Sequence, residues 1–255
     1  MNGTEVGPPI SAVIIACNGL PRIADTLRSV AFCAERLVVD SGSTDGTVEM
    51  ARQAGGRVEH QPFLGYGPQK RRAVELATHD WILSLDADEV LDAEAAAAIR
   101  DLDLSDPSAC WSIRRRTFIG SREVLHGPWG GEQVLRLFNR TTAEFTPLAV
   151  HEQVRSIRPP RVLPGSILHY SFDRLSDVLA RSIRYARPKA GIMRAKGQRV
   201  SAVTLPFRGA AMFAKSYLLK GGWRDGAAGF VIALSRVIDS TLPRAMLLLD
   251  EDEER

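Results

Sequence analysis

Short β-branched runs alternate with amphipathic helical stretches over the first hundred residues, and this alternation limits the chain to few architectures. Strands are predicted over residues 10–16, 36–40, 57–61 and 81–85, and helices over residues 21–33, 44–54, 69–78 and 93–102. Such a pattern predicts parallel strands joined by crossover helices, with helices on both faces of the sheet. Because ligands of these sheets bind beyond the carboxyl ends of the strands, the polar residues found there are the first candidates for a site.

The pattern changes after residue 110. β runs at residues 111–119, 133–139 and 163–170, separated by Gly/Pro loops, predict an extension that makes the sheet mixed. Helical stretches follow at residues 176–196, 206–220 and 227–249. We therefore expect an α/β domain at residues 8–174, a helical C-terminal region packed on it at residues 175–249, and a disordered acidic tail at residues 250–255.

A cluster of carboxylates ends the fourth predicted strand, in the segment Trp81-Ile-Leu-Ser-Leu-Asp86-Ala-Asp88-Glu89. Side chains alternate along a strand, so Asp86 and Asp88 are expected to point the same way. Two carboxylates at this spacing suit a divalent cation that also holds a diphosphate. The alternative is that one of them caps the following helix.

A second polar loop, Asp40-Ser-Gly-Ser-Thr-Asp45-Gly46, follows the second predicted strand directly. Its small residues allow a ligand to approach the backbone, and Asp40 is able to accept a hydrogen bond from a base or a ribose. The alternative is an Asx-type turn in which Thr44 or Asp45 caps the next helix.

Several function classes are disfavoured by what the sequence lacks. It has no Gly-x-Gly-x-x-Gly after the first strand and no Gly-x-x-x-x-Gly-Lys-Ser/Thr, which weighs against dinucleotide oxidoreductases and P-loop phosphotransferases. A net charge of +3 gives no indication of nucleic acid. Its three cysteines show no metal spacing and are predicted to be free thiols, with Cys17 and Cys110 buried. No signal-peptide pattern is visible, so we expect a cytoplasmic protein.

Together these segments resemble the inverting family 2 glycosyltransferases, which have the Rossmann-like GT-A fold of nucleotide-diphospho-sugar transferases. The resemblance extends from Ile10 to about Leu249. Besides the two acidic segments, it rests on Ser11-Ala-Val-Ile-Ile-Ala16, Gly67-Pro-Gln-Lys-Arg71, Arg136-Leu-Phe138, Val150-His-Glu152 and His169. The segment Gly221-Gly-Trp-Arg-Asp-Gly226 is similar to a feature of the lipopolysaccharide-core β-1,4-glucosyltransferase branch.

The resemblance implies a donor site and a metal site. The residues implied in nucleotide-sugar binding are Ala16, Asn18, Asp40, Ser41, Gln69, Lys70, Arg71, Asp86 and Ala87. A Mg²⁺ or Mn²⁺ ion would bridge the diphosphate, with Asp88 as its ligand and Asp86 near the ribose or a metal-bound water. His169 would complete the metal or phosphate site, and a purely structural histidine is the alternative.

Inverting transfer also needs a base that takes the proton of the acceptor hydroxyl. The resemblance implies Glu152, in the pair His151-Glu152, for this role, and Glu132 in the Gly130-Gly-Glu132 loop is the second candidate. The alternatives are a buried hydrogen-bonded pair for His151-Glu152 and a surface salt bridge for Glu132.

The expected function is metal-dependent transfer of a hexose, namely glucose from UDP-glucose, to a lipid-linked saccharide such as the lipopolysaccharide inner core. Polyprenyl phosphate, another surface polysaccharide or a protein are alternative acceptors, and a nucleotide-sugar-binding protein without transfer activity is the alternative outside enzymes. The basic segment from Arg181 to Arg224 predicts peripheral contact with the inner face of the cytoplasmic membrane, and a solvated helical face is its alternative.

Overall fold

A computed structural model describes residues 7–20, 22–147 and 152–253, with the backbone alone at residues 250–253. The chain forms two compact units, each built from two segments. Unit 1 comprises Met1–Arg115 and Glu132–His169, and unit 2 comprises Arg116–Gly131 and Tyr170–Arg255. The segment at residues 116–131 thus belongs with the C-terminal helices, whereas the sequence grouped it with the N-terminal domain.

Four parallel strands form one side of the sheet in unit 1, in the order β3-β2-β1-β4. These strands alternate with three helices: β1 (Ile10–Ala16), α1 (Ile23–Ser29), β2 (Glu35–Asp40), α2 (Thr47–Gln53), β3 (Arg57–His60), α3 (Tyr66–Leu76) and β4 (Trp81–Asp86). Ala16 lies opposite Asp40 and Ile15 lies opposite Asp86. The register therefore brings the ends of three strands, with their polar loops, to one edge.

The remaining strands make the sheet mixed, as predicted. They are β5 (Glu89–Leu91), β6 (Cys110–Ile119), β7 (Arg122–Val124), β8 (Glu132–Asn139) and β11 (Arg161–Phe172), and helix α4 (Ala93–Arg100) follows β5. The sheet continues β4-β8-β6-β11-β5, with β8 antiparallel to β4 and to β6. A separate antiparallel pair joins β9 (Ala143–Phe145) to β10 (Val154–Ser156). The three-residue strands were not predicted, because they are too short to show a period.

Both faces of the central strands in unit 1 are buried, which explains the nearly continuous apolar runs of β1 and β4. In β1, Ile14 joins one core cluster with helices α1 and α4, whereas its neighbour Val13 joins another with α3. The predicted placement of helices on both faces is confirmed. Cys33 and Cys110 are buried free thiols, but Cys17 is exposed because it lies just past the end of β1, so its predicted burial is wrong.

The start of α4 is fixed by a residue outside the predicted carboxylate pair. Asp92 Oδ1 accepts a hydrogen bond of 2.8 Å from the Ala95 backbone N–H and caps the helix. Gly165 of β11, at φ +78°, lies so close that a Cβ there would be 2.2 Å from Ala95 N. Because Asp92 makes the cap, Asp86 and Asp88 are left for another purpose.

Unit 2 is mainly helical. It contains α5 (Leu175–Ala195), α6 (Thr204–Phe213), a π-helical segment (Ala214–Leu219), a 3₁₀ turn (Gly222–Asp225) and α7 (Ala227–Glu253). A buried stripe on α5 packs against α7, and it consists of Val178, Ser182, Ala186, Ala190 and Met193. The backbone of residues 250–253 is helical, where a disordered tail was expected. None of the helices within the described ranges is long and apolar enough to cross a membrane.

Glu35 holds together the opposite, amino-terminal edge of the parallel strands. Its carboxylate accepts hydrogen bonds from Ser11 Oγ at 2.5 Å, from the Thr78 backbone N–H at 2.6 Å and from Arg57 Nη2 at 2.8 Å. Burial alone would raise the pKa of Glu35, but the hydrogen bonds from Ser11, Thr78 and Arg57 lower it to about 2. The ionised form therefore stabilises the fold.

We expect Glu35→Gln to lower the free energy of unfolding by about 2 kcal/mol at neutral pH, the usual size of hydrogen bonds to a charged group. The contribution is complete above the ordinary pKa of 4.5 and is lost as the pH falls towards about 2, because the folded-state pKa is the lower one. Urea unfolding between pH 7 and pH 2 measures the free energy of unfolding of both proteins. The difference between variant and wild type should disappear as the pH approaches 2.

Glu59→Gln is the matched control, because Glu59 also pairs with Arg57 but both side chains are about 40% exposed. It is expected to cost less than about 1 kcal/mol at any pH. Equal losses in the two variants would contradict the role given to Glu35.

Candidate functional site

The loops that follow β1 and β2 are hydrogen-bonded to each other at the carboxyl edge of the sheet. Asn18 adopts a left-handed conformation, with φ 54°, which asparagine tolerates better than most residues. Its Oδ1 accepts from the Thr44 backbone N–H at 2.9 Å, and its own N–H donates to Ser43 Oγ at 2.8 Å. Gly19 N–H donates to Thr47 Oγ1 at 2.8 Å. Asn18 thus helps to fix the shape of the predicted nucleotide loop.

Asp40 is buried at the end of β2 and makes an Asx turn. Its Oδ2 accepts from the backbone N–H groups of Gly42 at 2.8 Å and Ser43 at 3.0 Å, and its Oδ1 accepts from Ser43 Oγ. Asp45 accepts from the Thr47 N–H at 3.1 Å at the start of α2. The Asx turn of the alternative is therefore present, but its helix cap is not, because the N-cap of α2 is Gly46 and no side chain caps it.

Gln69 of α3 is fully buried and ties three segments to this edge. Its Nε2 donates to Ser41 Oγ at 3.1 Å and to the Gln61 carbonyl at 3.2 Å, and its Oε1 accepts from the Leu64 N–H at 3.2 Å. A buried amide with each group paired is a rigid support. Gln69 therefore fixes the position of Ser41 next to Asp40.

Lys70, the next residue of α3, is a buried cation between two carboxylates. Its Nζ lies 2.9 Å from Asp86 Oδ1 and 2.9 Å from Glu152 Oε1. A buried ammonium needs such partners, because an unpaired charge in the interior is costly. The structure thus brings the predicted base candidate Glu152 to the end of β4.

Asp86 is also contacted from the other side. Its Oδ2 lies 3.3 Å from Arg136 Nη2. Burial alone would raise the pKa of Asp86, but Lys70 and Arg136 outweigh burial and hold the pKa well below its usual range. Asp86 is therefore ionised, and each of its oxygens faces a cation.

Arg136 and Glu89 form a further buried ion pair, and neither residue was predicted as part of the site. Arg136 Nη2 lies 2.5 Å from Glu89 Oε1, and Glu89 Oε2 accepts from the Asp86 backbone N–H at 3.1 Å. Glu89 thereby holds the backbone of Asp86 directly and its side chain through Arg136. The sequence contains a signal for this pair, because Arg136 interrupts the apolar run of residues 134–138, where burial of a charge requires a partner.

Glu132, the second base candidate, lies at the far end of the same network. Its Oε2 is 2.5 Å from Arg115 Nη2, and Arg115 Nη1 is 3.5 Å from Glu89 Oε1. The Glu132 side chain is 56% exposed, against 17% for Glu152. Carboxylates and cations alternate along this charge network, which runs Glu152, Lys70, Asp86, Arg136, Glu89, Arg115 and Glu132.

Asp88 and His169 lie together next to this network. His169 Nε2 is 3.4 Å from Asp88 Oδ2, and His169 pairs with Glu89 across β11 and β5. In the described part of the chain, no three His, Cys, Asp or Glu side chains are grouped to hold a metal ion. One carboxylate and one imidazole nevertheless fit Mg²⁺ or Mn²⁺, because such ions take further ligands from substrate phosphates and water.

The remaining predicted site residues lie around this edge. Ala16 is buried at the end of β1, and the Ala87 carbonyl accepts from Thr26 Oγ1 at 3.0 Å. Arg71 is half-exposed and pairs with Glu144 at 3.2 Å. His151 lies outside the described residues.

Two curated relatives align with most of the chain. The lipopolysaccharide core biosynthesis glycosyltransferase LpsC of Rhizobium meliloti (strain 1021) is 29% identical over 247 residues, which cover 94% of this chain and 92% of LpsC. An uncharacterized glycosyltransferase of Rickettsia felis is 29% identical over 237 residues, which cover 87% of this chain and 83% of the relative.

Solved structures match a smaller part of the chain. Glucosyl-3-phosphoglycerate synthase from Mycobacterium tuberculosis, in complex with Mn²⁺, UDP and glucosyl-3-phosphoglycerate, is 22% identical over 45% of each chain, with a TM-score of 0.33. Mannosyl-3-phosphoglycerate synthase from Rubrobacter xylanophilus is 22% identical over 42% of this chain and 39% of its own, with a TM-score of 0.35. The chain therefore spans less than half the length of these solved proteins.

The family profile described as Glycosyl transferase family 2 matches residues 11–158. The matched range includes the loops after β1 and β2, the Asp86–Asp88 turn and Glu152. Because it spans more than half of the sequence, the protein belongs to glycosyltransferase family 2 and has the GT-A fold of that family.

Proposed function

We propose that this glycosyltransferase is metal-dependent and inverting, and that it moves glucose from UDP-glucose to a lipid-linked saccharide such as the lipopolysaccharide inner core. The observation that carries the proposal is the contact of one buried cation, Lys70, with both Asp86 and Glu152. This contact supports the proposal because Glu152 would be the base and the Asp-x-Asp turn would hold the donor, and one cation pairs with both.

The donor nucleotide would occupy the carboxyl edge of β1, β2 and β4. Asp40 and Ser41 would face the base and ribose, and the hydrogen bonds of Asn18 and Gln69 keep that loop in place. Asp86 would approach the ribose. Its pairing with Lys70 and Arg136 supports a positioning role, because both oxygens are already held by cations of the protein.

Charge supports the presence of a divalent cation. The charge network contains one more carboxylate than cations, and Asp88 adds another negative charge next to it. A diphosphate would be repelled from such an edge. Asp88 and His169 would hold the ion, which supplies neutralisation of the charge that develops on the departing nucleoside diphosphate.

Glu152 would act as the base that takes the proton from the acceptor hydroxyl. Its mostly buried carboxylate lies one cation from Asp86, whereas Glu132 lies at the exposed end of the charge network. A base must reach the hydroxyl that attacks the donor sugar, and Glu152 is the candidate that shares a cation with Asp86 itself.

The proposed acceptor is supported by a relative whose name includes the process it serves. LpsC, named for lipopolysaccharide core biosynthesis, aligns with nearly the full length of this chain. An identity of 29% supports the class of acceptor, a lipid-linked saccharide of the cell envelope.

Calorimetric titration with nucleoside diphosphates and nucleotide sugars, first with Mn²⁺ and then with excess chelator, tests the donor proposal. We expect UDP and UDP-glucose to bind with Mn²⁺ and to lose their affinity when the chelator removes it. Equal binding of UDP-glucose with and without the metal would overturn the metal dependence, and selective binding of another nucleotide would overturn the donor.

Asp88→Asn is expected to weaken Mn²⁺-dependent UDP-glucose binding by more than about tenfold, because the variant loses the anionic ligand of the ion. Asp80→Asn is the control, since Asp80 is an exposed aspartate that pairs with Arg140. Unfolding curves verify that both variants fold. Unchanged donor affinity in Asp88→Asn would contradict the assignment of Asp88.

Glu152→Gln is expected to keep UDP-glucose binding and to lower the transfer rate by about 10²- to 10⁴-fold, the usual contribution of a general base. Glu132→Gln, measured in the same transfer assay with a core saccharide acceptor, is expected to stay close to wild type. If only Glu132→Gln loses turnover, the base is Glu132.

A further inference from the structure

One segment of unit 2 has an extreme charge composition. Residues 178–224 contain no aspartate or glutamate, although acidic residues stand on both sides, at Asp177 and Asp225. The same stretch contains eleven basic residues: Arg181, Arg184, Arg187, Lys189, Arg194, Lys196, Arg199, Arg208, Lys215, Lys220 and Arg224. With no acidic neighbour in sequence, this segment carries a concentrated positive charge.

Large apolar side chains are exposed within the second half of this segment. We call them the apolar ridge: Val203 (73% exposed), Phe207 (73%), Leu218 (59%), Leu219 (83%) and Trp223 (52%). Single exposed apolar residues are common on protein surfaces, but a run of them marks a binding surface.

The apolar ridge faces away from the core of unit 2. The opposite side of the same helices is buried through Gly209 and Ser216, and a Cβ at Gly209 would lie 3.4 Å from Val237 Cγ1 of α7. Val203 and Phe207 are one turn apart at the start of α6, and Leu218 and Leu219 are exposed at the end of the π-helical segment, which is buried at Ser216. Exposure of the ridge is therefore a consequence of how α6 and the π-helical segment pack on α7.

A shallow groove of about 430 Å³ runs beside the ridge and combines both kinds of chemistry. Its lining includes Phe207 and Met212 on the apolar side and Arg208 and Lys215 on the charged side. Long basic side chains place their charge beside an apolar surface while their methylene groups cover part of it. Farther along, the Arg224 guanidinium lies 5.3 Å from the centre of the Trp223 ring.

We propose that the apolar ridge and its flanking cations Arg208, Lys215, Lys220 and Arg224 form an interfacial binding site for an anionic phospholipid bilayer. Apolar side chains that enter the headgroup region, flanked by lysine and arginine, are the chemistry of proteins that lie on a membrane surface. Nucleic acid would match the charge but leave the ridge in water. The proposal deepens the proposed function, because it rests on a lipid-linked acceptor and says which surface meets the lipid.

Co-sedimentation of the full-length protein with lipid vesicles tests the proposal without donor or acceptor. We expect binding to vesicles of phosphatidylcholine mixed with phosphatidylglycerol, weaker binding to phosphatidylcholine alone, and loss of binding as salt is added. The double variants Leu218→Ser/Leu219→Ser and Lys215→Gln/Lys220→Gln should each weaken binding by at least about tenfold.

Leu249→Ser is the matched control, because Leu249 is 65% exposed on α7 and precedes the acidic end of the chain. It should bind vesicles like wild type. UDP-glucose binding by all variants verifies that the donor site in unit 1 is intact, and transfer to a delipidated saccharide should be unchanged by the ridge variants.

Vesicle binding that does not depend on phosphatidylglycerol, or that is equal in wild type and both double variants, would overturn the proposal. The proposal would also be overturned if wild type formed a dimer and did not bind vesicles, and if Leu218→Ser/Leu219→Ser dissociated that dimer. The ridge would then bind a second copy of the chain. An enzyme that fails to use UDP-glucose but binds vesicles would overturn the proposed function alone.

Discussion

Lys70 is a buried ammonium group, and the pairs that its charge requires organise the candidate site. Asp86 and Glu152 both contact it, so the end of β4 is joined to a residue that lies beyond β9 in sequence. Asp86 is also paired with a second cation, Arg136, which is held in turn by an ion pair with Glu89. Because a buried charge that loses its partner is strongly destabilising, these positions constrain one another.

The two units use charge in opposite ways. In unit 1 the charges of the network are paired, and Lys70, Glu89 and Arg136 are buried, which fixes their geometry before a substrate arrives. In unit 2 the basic side chains of α5 and α6 are largely exposed and stand next to exposed apolar ones. The first arrangement suits chemistry at a defined point, and the second suits attachment to an extended anionic surface.

Much of the fold was predictable because its signals are local. The bounds of β1, β2, β3 and β4 agree with the prediction to within about one residue. Buried parallel strands such as β1 and β4 are recognised as short apolar runs, whereas β3 is a more polar edge strand. Helix ends were less accurate: α1 ends at Ser29, although its pattern suggested Cys33. The strands β5, β7, β9 and β10 were missed because three residues cannot show alternation. The predicted burial of Cys17 was wrong because a shift of one residue along the chain separates the buried end of β1 from an exposed loop.

The sequence by itself determined the class of sheet, the two acidic loops and their family resemblance, because periodicity and motif spacing are properties of neighbouring residues. Only the tertiary structure decided that Lys70 pairs with Asp86 and Glu152, and that Glu89 and Arg136 belong to the same network. Strand register made these contacts between residues far apart in the chain. Pairing of buried charges depends on distance in space, which no local pattern contains.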